Sequence, residues 1–156
     1  MTNQTIQVAG SCRCGKIEFE VTAPPLITMA CHCRGCQKMT GSAYSLSAAI
    51  PAEGFRVTRG APAIGGLHGA SQQYFCPSCM SWLFTKPEGL DFFVNVRSTM
   101  LDGPSWTEPF IESCTSEKLA WASTPAQHIY KGFPPPDSYE GLIAAFAEQE
   151  ATFRKG

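Results

Sequence analysis

The chemistry in this chain is concentrated in Cys31-His32-Cys33-Arg34-Gly35-Cys36, three thiols and an imidazole within six residues. Two further pairs flank it, Cys12-x-Cys14 before and Cys76-x-x-Cys79 after. Thiolates are soft donors suited to zinc, and cysteines this close make chelate arms more readily than disulfide partners. The outer pairs together supply four sulfurs, the count of a closed structural site. On an extended strand Cys12 and Cys14 face the same side, while the spacing of Cys76 and Cys79 suits a tight turn. The centre leaves Cys31, Cys33 and Cys36. Three thiolates and one free position are the count of a catalytic or ligand-binding zinc. Three thiolates also outweigh the charge of a divalent ion, so the site favours a soft fourth ligand over an acidified water. Two zincs per chain are therefore expected. The fourth place at the centre is open to water, a substrate thiol, His32, His128 or Cys114.

The lone residues read more blandly. His32 sits between two ligands, so its side chain is expected to point away from a metal they hold, as a supporting or surface group. Cys114 reads as a small buried apolar residue. His68 and His128 have no supporting neighbours. His32 and Lys38 are the candidates for carrying protons.

Elements must bring these residues together. Ile17, Phe19 and Val21 alternate with polar residues, the period-2 signal of a half-buried strand, stopped at Ala23-Pro24-Pro25. Leu26–Ala30 reads as a short strand delivering Cys31. A single helical turn fits residues 37–42. Strands are expected over Ala43–Ile50, within 54–60, and over Leu90–Val96. Gln73–Phe75 and Trp82–Thr85 read as a hairpin with Cys76 and Cys79 at its tip. Another strand is expected where tryptophans cluster, in 105–114 and 119–122, and a last short one at 127–130. The end changes character: Tyr139, Leu142, Ile143, Phe146 and Phe153 form one apolar stripe at helical spacing. Asp137 and Glu140 resemble a capping box after Pro134-Pro135-Pro136. A C-terminal amphipathic helix over about 137–154 follows, closing over a core.

Composition bounds the rest. The 156 residues suit one domain, 1–156, with 44% hydrophobic and 16% charged residues. A net charge of −1 lacks the basic surplus of a phosphate-backbone binder, so no nucleic acid is expected. No apolar run reaches the roughly 20 residues of a membrane span. Met1–Val8 has neither a basic nor an apolar leader region, so a cytoplasmic protein with reduced thiols is expected.

Gly10-Ser11-Cys12-Arg13-Cys14-Gly15, then Cys31-His32-Cys33-x-x-Cys36 with Gly41-Ser42, then Phe75-Cys76-x-x-Cys79, resembles the glutathione-dependent formaldehyde-activating enzyme family, also called the centromere protein V/GFA domain. The motifs run over about 8–121. The resemblance implies a mainly β fold of several small antiparallel sheets around zinc sites. It implies a structural zinc on Cys12, Cys14, Cys76 and Cys79 and a second on Cys31, Cys33 and Cys36. There, glutathione would add to formaldehyde, a carbon–sulfur lyase reaction. One departure is Met80, where the family pattern has a glycine after the last cysteine; glycine eases a left-handed turn, so a strained or different turn is expected. The alternative to an enzyme is a non-catalytic zinc module that binds a thiol ligand or a protein partner. Oligomeric state is not encoded in these motifs.

Overall fold

The computed structural model describes residues 6–65, 70–103 and 105–153, and the side chains to residue 151. His68 lies outside the described residues.

The first hairpin pairs β1 (Val8–Ser11) with β2 (Glu18–Val21), and β5 (Phe55–Arg59) adds to the far edge of β2. The alternation in β2 does what its period predicts. Phe19 and Val21 are buried, while Glu18 and Glu20 face Arg59 and Arg56 across the strand pair at the surface.

The second sheet has eight strands in the order β11-β10-β3-β4-β9-β8-β7-β6. In chain order these are β3 (Ile27–Cys31), β4 (Ser45–Pro51), β6 (Ala63–Ile64), β7 (Ser71–Phe75), β8 (Trp82–Pro87), β9 (Phe93–Arg97), β10 (Ile111–Ser113) and β11 (His128–Ile129). All neighbours are antiparallel except β10, which runs parallel to both β3 and β11. The mainly β character and the division into sheets agree with expectation; the parallel insertion of β10 is an addition to it. The stretch 119–122 is turn and irregular chain, and Trp121 is exposed.

The two faces of the large sheet have different tasks. Ala48 and Ile50 of β4, Val94 and Val96 of β9 and Phe84 of β8 pack against Val8, Ile17, Phe19 and Val21 of the small sheet. The opposite face is covered by α2 (Tyr139–Phe153) at the β3 side only. Leu142 and Phe146 are buried against Ile27, Ala49, Phe110 and Ile111, with the Phe110 and Phe146 rings edge to face. The apolar stripe thus closes over a core, as its spacing predicts. The expected capping box does not head it: a 310 turn, Pro136–Ser138, starts from Pro135 without a side-chain cap and runs straight into α2. Beyond the reach of α2, this face of the sheet is left uncovered as the floor of a cavity.

Candidate metal centres and an open cavity

The outer cysteines sit at two hairpin tips. Cys12 and Cys14 lie in the β1–β2 turn, past the end of β1, so their convergence comes from a turn and not from an extended strand as expected. The Cys12 N–H donates to Ile17 O and the Gly15 N–H to Cys12 O, with Gly15 left-handed at φ 76°. Cys76 and Cys79 occupy the β7–β8 turn and repeat the pattern: Cys76 N–H donates to Ser81 O and Met80 N–H to Cys76 O. Met80 takes the left-handed conformation at φ 60°. The turn that a glycine eases is therefore kept, with strain of roughly 1–2 kcal/mol carried by a side-chain-bearing residue.

The four sulfurs lie within 4.8 Å of one another. Cys12 and Cys14 Sγ are 3.5 Å apart, and Cys14 and Cys76 Sγ 3.8 Å. A tetrahedron of sulfurs at about 2.3 Å from zinc has edges of roughly 3.8 Å, so the set fits that ion and is far too open for disulfides. Backbone N–H groups of Ile17 and Cys79 point at Cys12 and Cys76 Sγ; against the cost of burial, the Ile17 bond helps hold the Cys12 thiol below its usual range. Hydrogen bonds from Ser81 hold the Cys79 thiol down at about 5.

The central three are delivered by a strand end and a helix start. β3 ends on Cys31, and α1 (Arg34–Thr40) begins directly after Cys33. The Cys33 sulfur is the N-cap, accepting from Cys36 N–H at 3.3 Å. The helix starts three residues before the expected turn at 37–42, because a thiol does the capping that a hydroxyl or carboxylate usually advertises. Gly41, left-handed at φ 62°, ends it. Gln37 ties α1 down, donating to His32 O at 2.8 Å and Glu117 O at 2.9 Å.

Cys31, Cys33 and Cys36 Sγ also lie within 4.8 Å of one another, and among the described residues no fourth His, Cys, Asp or Glu joins the group. Cys31 and Cys36 share a proton. A hydrogen bond from Cys36, assisted by Ser113 and Cys33, draws the Cys31 thiol down to about 5, and that same bond, with burial and the Cys31 charge, pushes Cys36 well up. Such a pair surrenders one proton easily and the other to a cation, which is the behaviour of a metal-binding set. Cys114 lies beside Cys31 but outside the group, its thiol pushed to about 12 by burial and by the Cys31 charge.

His32 turns away, as its position between ligands predicts. It is fully buried, with Nε2 2.7 Å from Glu112 Oε1 and its ring edge-on to Tyr44. Its Nδ1 has no partner. Lys38 is exposed. Neither lines the cavity, which corrects their candidacy as proton carriers. His128 packs its ring on Phe110 and belongs to neither cysteine group.

Cys31 and Cys36 face a cavity of about 740 Å³. Its floor follows the pleat of the large sheet, in which cross-strand partners share a face. The row Cys31–Ser45 lies next to the sulfurs, then Met29–Ser47–Arg97, then Ile27–Ala49–Asn95–Thr85. A bulge at Leu83 interrupts β8, where Tyr74 pairs Phe84 and Phe75 pairs Trp82. It sends Leu83 into the core and brings Trp82 onto the cavity face. There the guanidinium of Arg97 lies 4.0 Å from the Trp82 ring centroid. Arg97 is 6% exposed, and its Nε has no hydrogen-bond partner. Burial draws its pKa down to about 10 against the supporting charges of Cys36 and Cys31, which leaves it a cation at neutral pH. The sequence carried a trace of this: in Phe93-Val94-Asn95-Val96-Arg97 the period-2 face holding Phe93 also holds two polar residues.

With two cysteine sets that can hold metal and a cavity at the open one, the molecule is a mainly β, cysteine-rich fold of the metal-binding kind. The family model of the glutathione-dependent formaldehyde-activating enzymes (GFA) matches residues 7–117, and the chain belongs to that family. A Penicillium rubens protein, provisionally named a glutathione-dependent formaldehyde-activating enzyme, is 29% identical over 126 residues, 74% of this chain and 64% of that protein. An Emericella nidulans protein with the same provisional name is 33% identical over 89 residues, 52% of this chain and 45% of its own. The chain thus spans less than two thirds of the length of either relative. A crystal structure of a Rhodobacter sphaeroides protein shares the fold, with a TM-score of 0.52 at 22% identity, covering 62% of this chain and 90% of that one. No helix among the described residues is long and apolar enough to cross a membrane.

Proposed function

We propose that the chain is a zinc-dependent carbon–sulfur lyase that forms and cleaves a thiol–carbonyl adduct at Cys31, Cys33 and Cys36, with a structural zinc on Cys12, Cys14, Cys76 and Cys79. The observation that carries this is the three-sulfur group without a fourth donor among the described residues, open to a large cavity through Cys31 and Cys36. A zinc held there supplies a position that keeps a substrate thiol as its reactive thiolate.

The chain's own residues do the rest. Hydrogen bonds from Ser113 to Cys31 and from Ser45 to Cys36 spread the sulfur charge. Arg97 sets a fixed cation against the thiolates without a solvent shell to weaken it. The walls from α2 and the sheet hold thiol and carbonyl together, so that addition becomes an encounter inside one cavity. In the forward direction the C–S bond forms, the carbonyl π bond breaks, and the thiol proton ends on the new hydroxyl oxygen. Glutathione and formaldehyde, the compounds in the relatives' names, are the first pair to test. Exchange spectroscopy by NMR on formaldehyde and glutathione should show turnover above buffer with both sites loaded; no acceleration would refute the enzymatic reading. The reading also places the chain in a reducing compartment, the cytoplasm, as a single domain.

One observation favours a second reading, a thiol-binding module without catalysis. Among the described residues no His, Lys, Asp or Glu lines the cavity, so none of them sets a strong side-chain acid or base beside the sulfurs. Tight thiol binding with no exchange would favour it.

A further inference from the structure

The cavity walls specify a narrower ligand than the three sulfurs do. Leu90, Phe92 and Phe133 stand exposed at its rim, and Leu26, Phe93 and Ile143 continue the apolar surface inward. Against this stands one charged residue among those described, Arg97, buried on the floor. Its Nη2 reaches only the Asn95 carbonyl, at 3.4 Å, and its Nε reaches nothing. A buried guanidinium with spare donors is a ready partner for a carboxylate, which it can meet with two parallel hydrogen bonds. The Trp82 ring holds the guanidinium plane from one side, so those donors stay aimed instead of sweeping.

Position along the sheet sets the distance. Arg97 pairs with Ser47, and Cys31 pairs with Ser45, so the cation stands one cross-strand row from the sulfurs. One row is two residues, roughly 7 Å along the strands, and β4 stands between β3 and β9, which adds roughly 10 Å across the sheet between backbones. The long Arg97 side chain covers part of that gap, near enough for the Cys36 and Cys31 charges to act on it, so the ligand need only bridge a few bonds between thiol and carboxylate.

Glutathione meets this cavity poorly. It carries two carboxylates and an ammonium on a polar backbone, and among the described residues the walls offer one cation and no acidic residue. Its second carboxylate and its ammonium would exchange water for neutral groups such as Ser47, Gln73 and Asn95, with no opposite charge to meet them among the described residues. We propose that the organic ligand of this site is an apolar mercaptocarboxylate: a thiol with one nearby carboxylate on an aryl or branched alkyl body. The sulfur lies toward Cys31 and Cys36, the carboxylate meets Arg97, and the apolar body rests among Phe93, Phe133 and Ile143. The inference rests on the thiol-binding reading above for its sulfur alone; the carboxylate and apolar assignments stand on Arg97 and the walls.

The test is calorimetric titration of metal-loaded protein with 2-mercapto-3-phenylpropanoate, 2-phenylethanethiol, 3-phenylpropanoate and glutathione. The arylated mercaptocarboxylate should bind at least about tenfold more tightly than glutathione, a difference of about 1.4 kcal/mol. Arg97→Met should weaken it by about tenfold or more beyond whatever loss 2-phenylethanethiol shows, and Arg97→Lys should restore part of that difference. Metal content and circular dichroism on each variant confirm that the site and fold persist. If Arg97→Met does not fold, Arg97→Lys with the same four ligands still decides, because loss of two-point carboxylate recognition should affect the charged thiol alone. Tighter binding of glutathione, or equal weakening of charged and uncharged thiols by both variants, would overturn the proposal. Binding of 3-phenylpropanoate through Arg97 with no gain from a thiol would sink the lyase reading and leave the carboxylate assignment standing. A chain that binds none of the arylated ligands and sediments as a dimer would assign the apolar rim to a contact between copies and overturn it.

Discussion

The two cysteine sets use the same atoms and differ in what surrounds them. The outer set joins two hairpin tips, with Cys12 and Cys76 buried and four sulfurs closing on one another. The inner set joins a strand end to a helix cap, offers three sulfurs, and faces a cavity with Cys31 and Cys36. The outer set connects the start of the small sheet to the β7–β8 hairpin, 62 residues away in the Cys14–Cys76 contact. Its loss releases a long-range tie. The inner set spans six residues whose backbone is already fixed by β3, α1 and Gln37. On the proposed function, its loss should remove chemistry and little else. In the proposed account, ligand count and location, not ligand type, separate the structural role from the reactive one.

The largest effect expected from breaking this contrast is at Cys76. Apparent folding energies of about 10–16 kcal/mol for structural zinc match or exceed a typical domain stability of about 5–15 kcal/mol. Cys76→Ser should therefore give insoluble or unfolded protein, read from soluble yield and circular dichroism. A soluble variant with full metal content would break the contrast.

Graded chelation sharpens it next. A mild chelator should remove metal from the Cys31–Cys33–Cys36 site with the circular dichroism spectrum unchanged, and the second metal should leave only as the spectrum collapses. Simultaneous loss of both would mean that the sites are energetically alike.

Protein stripped only at the inner site allows a pH reading. Cys31 is held near 5, below the ordinary thiol range, so its thiolate is populated as pH rises through about 5 and is lost below it. Iodoacetamide labelling of Cys31, mapped by mass spectrometry, should switch on across pH 4–6, while Cys36, pushed up by the same pair, stays unlabelled at neutral pH. Labelling of both thiols together near pH 9 would contradict the shared proton.

The smallest effect belongs to Met80. Relief of its left-handed strain in Met80→Gly should raise stability by up to about 1 kcal/mol, seen as a higher denaturation midpoint with the metal content unchanged. A lower midpoint would show that the methionine side chain contributes contacts outweighing the strain.

Much of this was legible from the sequence because the cysteine spacings are local. The grouping 12-14-76-79 and 31-33-36 needed only ligand counting, and the fold brings both groups together. Strands such as β2 and helix α2 followed from periodicity, which reports a face. Periodicity does not report a neighbour. The parallel insertion of β10 next to β3 depends on contacts about 80 residues apart, such as His32 with Glu112. The α1 start was hidden because a cysteine sulfur caps it, and Cys12–Cys14 converges in a turn that no alternation marks. Arg97 and Trp82 were missed for a related reason. Their meeting requires the bulge at Leu83, which only the pairing of β7 with β8 defines.

The account's central claim, that one cysteine set holds the fold and the other stays open for chemistry, is tested most directly by zinc per chain in wild type and Cys33→Ser. Two zincs should fall to one, with an unchanged circular dichroism spectrum and with thiol binding abolished. A Cys33→Ser protein that keeps two zincs, or that unfolds as Cys76→Ser is expected to, would contradict it.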